Sequence, residues 1–274
     1  MEWLRDMLIV ALIFVPLERV LSLHRGQKIF RRGWFNDLVY LTLNGKVINF
    51  ALVLVVAGII FVSSRVVPDV IKNAVSAQPF LLQLIEVIVL ADLGFYFMHR
   101  LFHAVPWLWK FHAIHHSIEE LDWLAGARIH PIDQILTKSV SFLPVFSLGF
   151  SDLAIGAYLA IYGWHVFLLH SNITLPFGPL RWLAASPEFH HWHHARDPAA
   201  RDKNFAGQLP VIDVIFGTDY MPKGKTPESY GIDEPMPSRY AAQLIHPFRR
   251  HGAAESEEGA GASPPSAVLP ADAK

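Results

Sequence analysis

The chain has no cysteine among its 274 residues. That absence removes disulfides, thiolate-ligated haem, iron–sulfur clusters and a cysteine nucleophile together. Charge is scarce as well: 17% of residues are charged and the formal net charge is −1. With no basic stripe interleaved with aromatics, nucleic acid is not a fitting partner. The sequence holds no GxGxxG, no GxxxxGK[ST] and no GxSxG, so dinucleotide binding, nucleotide hydrolysis and serine hydrolysis lack their signatures. HExxH is missing too, and no segment repeats beyond a short doubled histidine motif.

Apolar residues fill the space that charge leaves. The chain is 52% hydrophobic, with a mean hydropathy of +0.30. Long runs with few charges extend from Met7 to Leu23, Phe35 to Val62, Pro79 to Met98 and Ile135 to His170. Each reaches or approaches the length needed to cross hydrocarbon. The last is interrupted near Gly149 to Asp152 and reads as a hairpin or re-entrant pair. A soluble helical protein would have to cover the run from Phe50 to Val62 on every side without lipid. At the N-terminus, Glu2, Arg5 and Asp6 mix signs and no small-residue cleavage site follows, so the first run is expected to stay as an anchor rather than be removed. The expected fold is an all-α integral membrane bundle of about four transmembrane helices, one of them a broken hairpin, with a cytoplasmic histidine-rich helical cap.

Orientation follows from the basic residues between runs. Arg25, Lys28, Arg31 and Arg32 fill the loop after the first, whereas the loop after the second holds Arg65 and Lys72, so the first loop is placed in the cytoplasm. The third run then returns to that side at Arg100, and the hairpin brings the remaining histidines back to it. The chain divides into N-terminal transmembrane helices (1–78), a catalytic region (79–220), a cytoplasmic extension (221–251) and a tail (252–274). The stretch from Arg196 to Arg250 is polar, rich in proline and glycine, and reads as a cap with little regular structure. The tail, with AESEEGAGASPPS, has the composition of a disordered segment.

Histidine is the residue in excess, with 15 in the chain. They crowd into HRLFH (His99, His103), HAIHH (His112, His115, His116) and HHWHH (His190, His193, His194). Residues four apart on a helix share a face, so His99 and His103 can share a metal, and the same holds for His112 with His115 and His116. The third box repeats the HxxHH offsets of the second, while His191 falls on another face. A single ion needs three or four protein ligands, so eight converging imidazoles point to two metals. Imidazole suits iron, zinc, copper and nickel. Glu119, Glu120 and Glu188 are too few and poorly placed to replace the histidines as the carboxylates of soluble di-iron bundles do. His24, His246 and His251 have no partners at metal spacing and are read as solvated or interfacial.

The order DLGFYFMHRLFH, WLWKFHAIHHS, RIHPID, LLHSNI, SPEFHHWHHARD, DKNFAG and IDVIFGTDY resembles the fatty acid hydroxylase and sterol desaturase superfamily over about Asp92 to Tyr220. The resemblance implies a membrane di-iron oxygenase that uses O2 as co-substrate, with His99, His103, His112, His115, His116, His190, His193 and His194 as ligands. It adds His170 of LLHSN to that set. His165 is a further candidate on this segment, where some members pair two histidines four apart and here the separation is five. His130 of RIHP is expected behind the ligands, with Arg128 and Asp133 as its partners, and Asn204 of DKNF is expected to orient a ligand.

The implied reaction is oxygen-dependent hydroxylation of an unactivated C–H bond of a membrane lipid, with desaturation by the same site as the alternative. No HPGG-type cytochrome b5 segment or flavin motif is present, so electrons are expected from a separate ferredoxin or cytochrome b5 type donor with its reductase. Two rivals of other classes are a membrane haem electron-transfer protein, which would leave most of the histidines without a role, and a zinc hydrolase.

Overall fold

The computed structural model describes residues 2–249; the tail read as disordered lies outside the described residues. Among them every regular element is helical. Helix α1 (Glu2–Val20) is followed by a short α2 (Trp34–Val39), which runs through a π-helical turn at Tyr40–Asn44 into α3 (Gly45–Val66). After the short α4 (Asp69–Ser76) come α5 (Phe80–Ala104), α6 (Pro106–His116), α7 (Pro131–Ser147) and α8 (Asp152–His170). Three short helices complete the cap: α9 (Pro187–His193), α10 (Val211–Phe216) and α11 (Tyr240–Ile245).

Among the described residues, three helical stretches are long and apolar enough to cross a bilayer: Trp34–Val66, Phe80–Ala104 and Asp152–His170. Their exposed faces carry Phe50, Val53, Leu54, Phe61, Leu81 and Ile85, a surface suited to lipid rather than water. The sequence reads α1 as a further anchor, and its Leu8, Leu12 and Ile13 are exposed like the faces of the three longer stretches. Charges at both ends shorten its apolar stretch, and Glu18 is buried, accepting hydrogen bonds from the backbone N–H groups of Trp123 (2.8 Å) and Asn172 (3.0 Å). Val10 and Phe14 pack on Trp123, Leu124 and Ile173, so α1 is tied to the same end of the bundle as the histidines.

The break in the last run is where the sequence placed it. Gly149 has φ +88°, and a Cβ there would meet the Cα of Lys72 at 2.8 Å, so the hairpin tip closes against α4 only with glycine. Ser151 then caps α8 by accepting from Ala154 N. Helix α7 packs against α5 and α3. A Cβ at Gly94 would stand 2.9 Å from Ser141 Cα, so α5 and α7 approach backbone to backbone, as small residues allow in membrane bundles. The apolar core between α3, α5, α7 and α8 is built on Val87, Phe142, Val145 and Tyr158. Since α7 leaves the histidine end and α8 returns to it, His130 and His170 lie at one end, together with the last turns of α5, with α6 and with α9.

Proline sets where the histidine helices begin. Pro106, Pro131 and Pro187 each occupy the first turn, where a missing N–H costs nothing. One residue, Val105, separates α5 from α6, and this sharp corner folds the second box back onto the first.

Candidate metal centre

The nine histidines read as ligands are brought together in two adjoining groups. His99, His103, His112, His116 and His193 form one, and His115, His170, His190 and His194 the other; in each, the candidate ligand nitrogens lie within 4.8 Å of one another. Eight of the nine are fully buried and His103 is nearly so. The groups share a wall, with the His116 and His194 rings stacked at 4.5 Å and His193 against His194 at 5.3 Å.

The division corrects the expectation that the second box acts as one unit. His112 and His116 join the first group while His115 turns to the second; His190 and His194 join the second while His193 turns to the first. Helical geometry explains the exchange. Residues i and i+4 project within about 40° of each other, whereas i+3 and i+4 differ by about 100°. Each HxxHH box therefore offers a pair to one group and a single imidazole to the other.

The hydrogen bonds show that the groups fit a cation. Nδ1 of His99 donates to Phe205 O (2.8 Å), that of His112 to Asp133 Oδ2 (2.7 Å), that of His115 to Arg128 O (3.0 Å), that of His170 to Val166 O (2.9 Å) and that of His193 to Lys203 O (2.8 Å). A backbone carbonyl only accepts, so in His99, His115, His170 and His193 the ring proton is on Nδ1 and Nε2 carries a lone pair. Burial, reinforced by neighbouring imidazoles, holds His112 and His115 well below the ordinary histidine value, which keeps them neutral. Yet Nε2 of His99 faces Nε2 of His112 at 3.0 Å, and Nε2 of His170 faces Nε2 of His115 at 3.3 Å. No proton is left to bridge the second pair, whose two Nδ1 atoms are both held by carbonyls. Two lone pairs at that distance repel unless a cation lies between. Nitrogens about 2.0–2.1 Å from one metal and about 90–109° apart are separated by about 2.9–3.4 Å. The His116–His112, His190–His170 and His194–His190 contacts, at 3.1, 2.9 and 3.1 Å, fall in that range. Nε2 of His103 and of His193 is buried without a hydrogen-bond partner. These are the features of a metal site.

Acceptors behind the rings set their orientation. Three belong to the DKNF stretch: Asp202 Oδ1 meets His103 Nδ1 at 3.2 Å, while Lys203 O and Phe205 O hold His193 and His99. Asn204 does not touch a ligand, which corrects its expected role. With φ +59°, it donates from Nδ2 to Phe189 O and Tyr220 O and accepts from Tyr220 N, fixing the bend that aims the two carbonyls. Asp213 accepts from the N–H groups of Phe205 and Ala206, and Asp92 on α5 accepts from those of Gly207, Gln208 and Leu209. On the other side, a Cβ at Gly126 would stand 2.7 Å from His170 Nδ1, so this glycine leaves room for the ring.

The remaining sequence assignments separate. Arg128 is not a partner of His130. Its guanidinium pairs with Asp37 in a buried network that also joins Arg31 to Asp37 and Asp122, and its carbonyl holds His115. Asp133 serves His112 rather than His130. His130 caps α7, its Nδ1 accepting from Ile132 N and its Nε2 donating to Leu244 O. His165 lies outside both groups, donating from Nε2 to Ala185 O. His191 turns away, as its helical position required, and meets the Tyr230 hydroxyl at 2.9 Å. His24, read as solvated or interfacial, is half-buried and 2.7 Å from the same hydroxyl. Glu119 pairs with Arg32 at the surface, away from the centre. Sequence reasoning missed Asp202, Asp92 and Asp213, although each stands within a motif already singled out: DKNFAG, DLGFYFMHRLFH and IDVIFGTDY.

Residues 84–218 match the fatty acid hydroxylase family, a span that holds all nine histidines. The chain is 33% identical over 180 residues to an ornithine lipid hydroxylase of Rhizobium tropici, covering 65% of this chain and 54% of that protein. It is 32% identical over 145 residues to the alkylglycerol monooxygenase of Homo sapiens, covering 53% of this chain and 32% of that protein. Thus the matched region spans about half the length of the first relative and about a third of the second. No solved structure matches the chain. With its histidine motifs, their order and their spacing all inside the matched region, residues 84–218 form a fatty acid hydroxylase domain.

Proposed function

We propose that the chain is an oxygen-dependent lipid hydroxylase whose two histidine groups each hold one iron ion. The observation that carries this reading is the pair of adjoining, buried groups of neutral imidazoles with facing lone pairs. A haem protein needs one or two axial histidines per iron and would leave most of these without a role. The names of the relatives, a hydroxylase and a monooxygenase, favour oxygen insertion over desaturation.

The overall conversion is R–H + O2 + 2 electrons + 2 protons giving R–OH + H2O. A bound iron pair supplies the activation of dioxygen that no side-chain acid or base can provide. The chain's residues do the rest. His99, His103, His112, His116 and His193 hold one ion, and His115, His170, His190 and His194 the other. Asp133, Asp202 and the carbonyls of Arg128, Val166, Lys203 and Phe205 fix the ring protons on Nδ1 and so present Nε2 inward. Phe189, Phe205 and Tyr96, all buried, keep water from the back of the centre. The electrons come from a separate one-electron donor of ferredoxin or cytochrome b5 type, with its reductase. The histidine end faces the cytoplasm in this reading. Arg25, Lys28 and Arg32 support that side, while Arg31, counted with them in the sequence, is spent in the buried ion pairs.

Incubation of the full chain in lipid nanodiscs with 18O2, a reductase and its donor protein tests this. The expected product is a lipid heavier by one 18O atom, formed only with donor present. A product labelled from water instead, or formed without dioxygen, contradicts hydroxylation; a product that has lost two hydrogens and gained no label moves the chain to desaturation.

A further inference from the structure

One cavity, of about 390 Å³, reaches the histidine groups from the polar cap, and His103, His116, His193 and His194 form its floor. His193 is 5% exposed, so the floor is closed and the cavity reaches the edge of the histidine group. The rim is uneven in charge: Asp197, Asp202, Asp233 and Glu234 stand against Arg196 and Arg201. Asp202 is engaged by His103, and Arg196 lies 3.9 Å from Asp233, with a second hydrogen bond to Ile232 O. Trp109 forms the wall between rim and floor. Its Nε1–H points to Glu234 Oε2 at 3.4 Å, and its rings lie 5.2 and 5.4 Å from those of His103 and His116. A carboxylate and a metal-holding histidine are thus separated by the width of one indole.

Volume and charge together select an occupant. The cavity is at the small end of the roughly 300–1,000 Å³ typical of small-molecule sites, enough for a headgroup and too small for a two-chain lipid. Carboxylates in excess over guanidinium groups, beside an indole face, attract a cationic nitrogen.

We propose that this cavity takes the amine-bearing headgroup of an aminolipid, with its ammonium toward Asp233 and Glu234, so that the carbon offered to the centre lies in the headgroup or a few bonds from it. This rests on the hydroxylase reading and names its substrate class. Neutral ether lipids, sterols and mid-chain acyl positions are disfavoured by the same rim.

The test uses the full chain in nanodiscs with three probes: an amino-acid lipid with a free amine, its N-acetylated derivative, and a 1-O-alkylglycerol. Binding is measured anaerobically by displacement of a fluorescent copy of the first probe, and turnover separately with donor, reductase and O2. The free-amine lipid is expected to bind about tenfold more tightly than the other two. The D233N/E234Q double variant is expected to remove that preference, raising KM for the free-amine lipid while leaving kcat and the handling of the acetylated lipid unchanged. Equal binding of all three probes, or an amine preference that survives the double variant, overturns the headgroup assignment even if hydroxylated product forms. Amine-selective binding without product under any condition supports the assignment and contradicts the hydroxylase reading.

Discussion

Replacing His112 by alanine is expected to reduce hydroxylated product to background and to lower bound metal from about two ions per chain to about one. His112 is the hub of the first group: its Nε2 meets those of His99 at 3.0 Å and His116 at 3.1 Å, and its Nδ1 is held by Asp133 at 2.7 Å. Its removal both deletes a ligand and leaves the Asp133 carboxylate buried without its donor. The milder Asp133→Asn keeps all nine imidazoles and disturbs only the partner behind one of them. Its expected cost is about 10–100-fold in metal affinity, the range for partners of this type. Metal analysis of the purified variants beside product yield checks both. Full activity in His112→Ala would remove the first group from the mechanism.

The second large effect is expected at a residue that touches no histidine. Asp92 accepts three backbone N–H groups, from Gly207, Gln208 and Leu209, and is 2% exposed. Asp92→Ala leaves three buried donors unpaired, at about 1–3 kcal/mol each when nothing replaces the acceptor. The loop it anchors carries the acceptors for His99, His103 and His193, so stability and the first metal group fall together. The expected readout is a lower unfolding temperature and faster loss of one of the two metals to a chelator, the other being retained longer. Asp92→Asn, which keeps one acceptor oxygen, is expected to fall between the two. Equal loss of both metals, or no loss, would show that the loop does not support the first group selectively.

These expectations show what the sequence could and could not carry. The histidines were legible because spacing on a helix is a local property, and α6 and α9 are helical where the boxes require it. The hairpin was legible for the same reason: Gly149 and Ser151 mark a stop and a start. The assignment of individual rings to two groups was not, since it depends on how α6 and α9 face each other across the centre. Arg128, His130 and Asp133 lie only a few residues apart, yet their partners are Asp37, Leu244 and His112, each supplied by a distant segment. Backbone carbonyls such as those of Lys203 and Phe205 are hidden in principle, because every residue has one. The role of Glu18 in the first apolar run was hidden for a related reason. The run's hydrophobic residues are real, but Glu18 is turned inward to hold Trp123 and Asn172, and that use of a charge shows only once the chain is folded.

The central claim is that two metal ions are held by histidine nitrogens alone, in groups of five and four. X-ray absorption on the full chain, purified with iron and quantified for metal per chain, tests it most directly. The account predicts about two irons per chain and a first coordination shell of nitrogen and oxygen with the multiple-scattering signature of imidazole. A single iron per chain, a haem spectrum, or a shell without imidazole scattering would contradict it.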